Sequence, residues 1–222
     1  MNPLLTRVIL RLAFSPVVIW LLILLPAGTN NFWQVYLYFS LLLTLVLLGF
    51  VYFIEHDPAL IERRLNTREK ESKQKLLVLV MGISVIAIYM ISGFDKRFNW
   101  SDIPVWLVLL ADLISLCGYI LILLVFKENS FAGRIIKVET DQLVVATGPY
   151  AYVRHPMYSG AMLMYGTTPI ALGSWWGLLP VIIISIALMV RSIMEEEVLQ
   201  RDLVGYRDYS QRVKWRLIPI IW

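Results

Sequence analysis

"IPVWLVLLADLISLCGYILILLVF", residues 103–126, decides the fold. It is 24 residues long and carries one charge, Asp112. A helix needs about 20 apolar residues to cross a bilayer, so this stretch reads as a transmembrane helix. The whole chain agrees. Of 222 residues, 59% are hydrophobic and only 16% charged, with mean hydropathy +0.70. A soluble domain is nearer half apolar and a quarter charged. Length therefore means several spans in one domain.

Working outward, similar segments run from Leu4 to Leu25 (with Pro16 as a kink), Phe32 to Ile54 and Leu76 to Ile91. Two shorter ones follow, Met157 to Leu172 and Trp175 to Val190, joined at Gly173-Ser174 as a tight helical hairpin. The expected fold is an all-α polytopic membrane bundle of five to six helices. It ends in a cytosolic helical tail from Glu195, turning near Gly205 and ending at Pro219. The unit is a single domain, 1–222, with four spans in 1–126 and the functional part in 127–222. Arg7 and Arg11 before the first apolar run resemble a cleavable leader, but the spans pair up only if that run is retained as a helix.

Charge sets the expected orientation. The stretches at 55–75 and 127–155, the start and the tail hold all the Lys and Arg except Lys96 and Arg97. They include Arg63, Arg64, Arg68, Lys70, Arg134, Lys137 and Arg191. The positive-inside rule places these stretches and both termini in the cytoplasm. Trp33, Trp100, Trp106, Trp175 and Trp176 fall at the opposite ends, where indole rings settle at headgroup level. The basic residues form no single stripe, so a nucleic-acid partner is not expected. One cysteine, Cys117, makes no internal disulfide and reads as a small buried hydrophobe. Two histidines and that cysteine cannot supply a zinc site, so no metal is expected. There is no phosphate loop and no serine elbow.

Polar residues concentrate in "GPYAYVRHPMYSG", residues 148–160. Pro156 disfavours helix for His155 and suits a first helical turn. His155 should therefore sit on extended backbone, at the end of an irregular segment from Gln142 to Met157. Irregular backbone at membrane depth needs cover from protein or a water-filled cavity, which favours a pocket. The alternative is an interfacial belt of Tyr and Arg. "RSIMEEEVL", residues 191–199, places Arg191 and Glu195 on one helix face. It reads as a polar pocket wall, or alternatively as a solvated helix with internal ion pairs. Asp112 is nearly three turns deep in its span, and intramembrane acids usually face a bundle interior or a cavity. His56-Asp57-Pro58 is explained mainly by turn chemistry.

These elements together have a family likeness. Residues 142–160, "QLVVATGPYAYVRHPMYSG", resemble the signature of the isoprenylcysteine carboxyl methyltransferase family and its bacterial relatives. "RSIMEEEVL" at 191–199 and "GYRDYSQRVKWRLIP" at 205–219 follow in the family's order, and "ENSFAG" at 128–133 is typical of bacterial members. The resemblance implies an integral membrane methyltransferase using S-adenosyl-L-methionine, with its active site on the cytoplasmic face. It implies that Gln142, Leu143, Val144, Val145, Tyr150, His155, Pro156, Met157, Tyr158 and Glu195 line the cofactor. Lys137 or Val138 would add a contact. It places Arg191 against the substrate, with Arg191, Glu195 and His155 as the catalytic group. Eukaryotic members carry histidine where this chain has Gln142.

The implied partners are the bilayer and a lipophilic acceptor, most simply a carboxylate as in isoprenylcysteine O-methylation. A phospholipid amine or a small thiol are the other acceptors. A carboxylate needs no general base, and an arginine can orient it bidentately. An amine or thiol must lose a proton, which makes His155 or a glutamate a candidate base. The non-enzyme rival is a small transporter using Asp112, which predicts an internal repeat or broken spans. A membrane reductase is a further rival, because some share a similar C-terminal region. It would need a nicotinamide site.

Overall fold

The computed structural model describes residues 3–66 and 72–222. Arg68 and Lys70 lie outside the described residues, as do the side chains of Arg7, Arg11 and Pro16. The chain forms α1 (Pro3–Ala27), α2 (Trp33–His56), α3 (Pro58–Leu65), α4 (Ser72–Phe98) and α5 (Val105–Glu128), then α6 (Pro156–Ala171), α7 (Leu178–Asp202) and α8 (Tyr206–Arg212). No strand occurs among the described residues, so the all-α expectation holds.

Four helices, α2, α4, α5 and α7, are long and apolar enough to cross a membrane. The other two expected spans fall on α1 and on α6, which has 16 residues. α4 and α7 outrun their apolar cores. α4 continues from Ser72 to Phe98, and α7 carries the acidic run to Asp202.

The long helices neighbour one another in the order α2–α5–α6–α7–α4–α1, and α1 touches α2, so they close a ring. Small residues permit the closest crossing. A Cβ on Gly118 of α5 would sit 2.6 Å from the carbonyl oxygen of Gly160 in α6, and the reverse distance is also 2.6 Å. Any larger residue would push these helices apart. Gly93 of α4 meets the Ile23 carbonyl of α1 in the same way. Between α2 and α6, the hydroxyls of Tyr38 and Thr168 lie 2.7 Å apart in the buried core.

The two ends of the bundle differ in chemistry. At one end, Asp95 of α4 accepts from the Ser101 amide (2.8 Å), the Ser101 hydroxyl (2.7 Å) and the Ser174 hydroxyl (2.5 Å). These bonds pin the α4–α5 connection to the α6–α7 turn. The five tryptophans expected as a belt are all exposed near this end. The basic residues gather at the other end. There Arg63 and Arg64 of α3 reach Ser130, Gly133 and Met157, and Gln74 of α4 reaches Met194 and Arg191 of α7.

Local sequence explains the short elements. Asp57 caps α3 by accepting from the Leu60 amide at 3.0 Å, with Pro58 at the first turn. His56 stacks on Tyr52 and its Nδ1 lies 2.8 Å from the Tyr52 carbonyl. The His56-Asp57-Pro58 cluster is thus a helix junction. Gly205, at φ +84°, turns the chain into α8.

Two expectations need correction. Cys117 is exposed, not buried, because it lies on a different face of α5 from the one Gly118 presents to α6. The tail helix stops at Arg212, well before Pro219. The Arg154 guanidinium takes the carbonyls of Val213 and Lys214, each at 2.9 Å, and holds the chain extended there.

Candidate active site

The site begins with a backbone constraint. Pro156 opens α6, and His155 before it is non-helical, at φ −125° and ψ 62°. Free of the helix, residues 154 and 155 pair with the tail. The Arg154 amide donates to the Trp215 carbonyl and the His155 amide to the Arg216 carbonyl, both at 2.9 Å. Upstream, a 3-10 turn at Gly148–Ala151 presents Tyr150. Its hydroxyl accepts from Asn129 Nδ2 at 2.9 Å, and its carbonyl accepts from the Tyr209 hydroxyl at 2.8 Å. Three separate segments therefore fix one tyrosine.

These elements enclose a cavity of about 760 Å³, counted to its open mouth. All ten residues expected to line a cofactor do line it: Gln142, Leu143, Val144, Val145, Tyr150, His155, Pro156, Met157, Tyr158 and Glu195. Lys137 lines it too and pairs with Glu139 at 2.9 Å. Val138 instead packs against Leu203, Tyr206 and Tyr209. The sequence reading missed two parts of the wall. One is Asn129, Phe131, Ala132, Gly133, Ile135 and Ile136, with Arg154 beside them. Its signal was present in "ENSFAG", without a role. The other is Leu199, Leu203, Tyr206 and Tyr209, at the end of α7 and in α8.

The polar wall is a connected network. The Tyr158 hydroxyl donates to Glu195 Oε2 at 2.6 Å and accepts from Arg191 Nε at 3.2 Å. Arg191 also donates to Gln74 Oε1 at 3.2 Å and to the Arg134 carbonyl at 2.7 Å. Arg191 is buried and stands behind Tyr158, outside the cavity lining. Glu195 stands within it. Neither residue belongs to a solvated helix face. The next acid has a different task. Buried Glu196 accepts from Arg154 (3.1 Å) and Arg216 (2.5 Å), tying the irregular segment to the tail. Arg154 thus anchors protein to protein and is not part of an interfacial belt. Tyr152, by contrast, is exposed.

His155 lies among these groups, its ring stacked on Tyr158 with centroids 5.8 Å apart. Nδ1 is 3.8 Å from Glu195 and Nε2 is 3.9 Å from Glu196. Burial, and then the neighbouring Arg154 and Arg216 cations, lower its pKa to about 3. The imidazole is neutral at physiological pH. Asp112 takes no part in the cavity. It is buried in α5, and its carboxylate oxygens have no hydrogen-bond partner among the described residues. The described residues hold no cluster of three or more metal-ligating side chains.

No curated protein matches the chain. Residues 106–203 match a family model described as phospholipid methyltransferase. That segment runs from α5 through the irregular loop and α6 to the end of α7, and so contains most of the cavity wall. Over those residues the chain is similar to the phospholipid methyltransferase family of membrane methyltransferases, the group its motifs resemble.

Proposed function

We propose that the cavity binds S-adenosyl-L-methionine and that the chain methylates a lipophilic, membrane-accessible acceptor at the cytoplasmic face. The observation that carries this is the convergence of ten residues, from two separate motifs, on one cavity. Its chemistry fits the cofactor. Tyr150 and Tyr158 offer aromatic faces to a cation. Glu195 offers an acid, and the irregular 142–147 segment offers backbone polar groups. When bound, the cofactor supplies an electrophilic methyl group on a sulfonium.

The protein's own residues align the reactants and exclude water. Glu195 is held by the Tyr158 hydroxyl, and Arg191 is locked behind both. The carboxylate acceptor is the reading we favour. His155 is neutral and, with a pKa near 3, a weak base, which leaves Glu195, whose pKa burial raises, as the base that an amine or thiol would need. A carboxylate requires no base, whereas an amine or thiol does. The description of the family points to phospholipid amines as the second reading. Methyl transfer from labelled S-adenosylmethionine to an S-farnesyl cysteine analogue, beside phosphatidylethanolamine, separates the two. Arg191→Ala should reduce transfer to the carboxylate acceptor at least about 100-fold while S-adenosylhomocysteine still binds. Retained turnover in that variant would remove Arg191 from its assigned role.

A further inference from the structure

Two consecutive arginines of α3 have opposite surroundings. Arg63 is paired: Nε donates to Glu139 at 3.0 Å and Nη1 to Ser130, and the guanidinium lies over the Phe131 ring. Arg64 makes no ion pair among the described residues. It lies over the Phe126 ring at 4.7 Å, and its Nη1 reaches the Gly133 carbonyl at 3.3 Å and Met157 Sδ at 3.4 Å. Met157 and Gly133 both line the cavity.

The charged group that bears most on Arg64 has the same sign. It is Arg134, exposed, and itself without an ion pair among the described residues. Burial and that neighbour hold the Arg64 pKa below its ordinary value. The contacts that favour its charge are the Phe126 face and the Gly133 carbonyl, both neutral groups. Arg64 therefore brings a partly desolvated cation from α3 to the cavity wall, on the side of α5 and α6. Arg64 takes the carbonyl of Gly133, the residue before Arg134, and among the described residues no acid pairs with either cation. The partly desolvated Arg64 cation is costly unless an anion completes it, and a planar guanidinium suits a carboxylate or phosphate.

We propose that Arg64 and Arg134 seat the oxyanion of the methyl acceptor's headgroup, a carboxylate or a phosphate, beside Met157 at the edge of the cofactor cavity. This rests on the methyltransferase reading, and it gives that site an anionic acceptor.

The test uses the full chain in neutral detergent micelles saturated with S-adenosylhomocysteine. Thermal unfolding is followed against oleate, dioleoyl phosphatidate and oleyl alcohol. At least one oxyanion lipid should raise the unfolding midpoint where the alcohol does not. Oleate alone would identify a carboxylate, and phosphatidate alone a phosphate. R64Q and R134Q should each weaken that lipid's apparent affinity about tenfold, as expected for one charge-assisted bond, and R64K should recover part of it. The shift produced by S-adenosylhomocysteine should persist in each variant, which shows that the variant is folded. If R64Q fails to fold, R134Q at an exposed position carries the comparison. Equal shifts from all three lipids, or unchanged oxyanion affinity in folded R64Q and R134Q, would overturn the proposal and leave cofactor binding standing. Failure of the wild type to bind S-adenosylhomocysteine would instead count against the underlying reading.

Discussion

Glu196→Ala tests how the tail is held over the site. In the native protein this carboxylate is buried and serves two arginines from separate segments, Arg154 at 3.1 Å and Arg216 at 2.5 Å. Gln200 adds a third donor at 3.3 Å. Truncation leaves two cations facing each other with no acid between them. Removing one partner of a buried pair costs about 3–5 kcal/mol. The lower end applies here. Arg154 keeps its bonds to the Val213 and Lys214 carbonyls, and Arg216 keeps its stack on the Trp222 ring. Arg216 is also a quarter exposed, so solvent screens part of its charge. We expect a loss of about 3 kcal/mol. Unfolding in micelles, followed by tryptophan fluorescence, measures it, because Trp215 and Trp222 lie on the tail. The double variant with Arg216→Ala should show a coupling above about 1 kcal/mol. A loss below about 1 kcal/mol, with no coupling, would refute the idea that Glu196 joins the tail to the irregular segment.

Two further outcomes follow from unpartnered or shifted groups. Asp112→Asn should leave thermal stability unchanged or raise it, because the buried carboxylate oxygens have no hydrogen-bond partner among the described residues; a fall of more than about 1 kcal/mol would reveal a partner for the charge. His155 should make stability fall as pH drops from about 6.5 towards 3. Its pKa is about 3 in the fold and ordinarily 6.5, so between those values the unfolded chain holds a proton that the native ring lacks. The contribution present above pH 6.5 is at most about 5 kcal/mol. His155→Asn should flatten this part of the stability–pH curve, and an unchanged slope would place the imidazole in water.

Much of the molecule is legible in the sequence because its signals are local. Apolar runs of span length mark α2, α4, α5 and α7. Pro156 fixes both the start of α6 and the extended backbone of His155. The cavity wall was readable because nine of the ten residues expected there fall within the contiguous stretch 142–158. What stayed hidden depends on distant packing. Tyr206 and Tyr209 reach the cavity only because Arg154, Arg216 and Glu196 fold the tail back. Helical spacing puts Arg191 and Glu195 on one face, but does not reveal that Tyr158 stands between the Arg191 guanidinium and the cavity. Nor does spacing distinguish Arg63, paired with Glu139 far along the chain, from Arg64, which has no ion pair among the described residues.

The central claim is that this cavity holds the methyl donor. Calorimetric titration of the purified, folded protein with S-adenosylhomocysteine addresses it directly. Saturable one-to-one binding is predicted, weakened by Glu195→Ala and by Tyr150→Ala. The absence of binding heat from protein whose cooperative unfolding shows it to be intact would contradict the account.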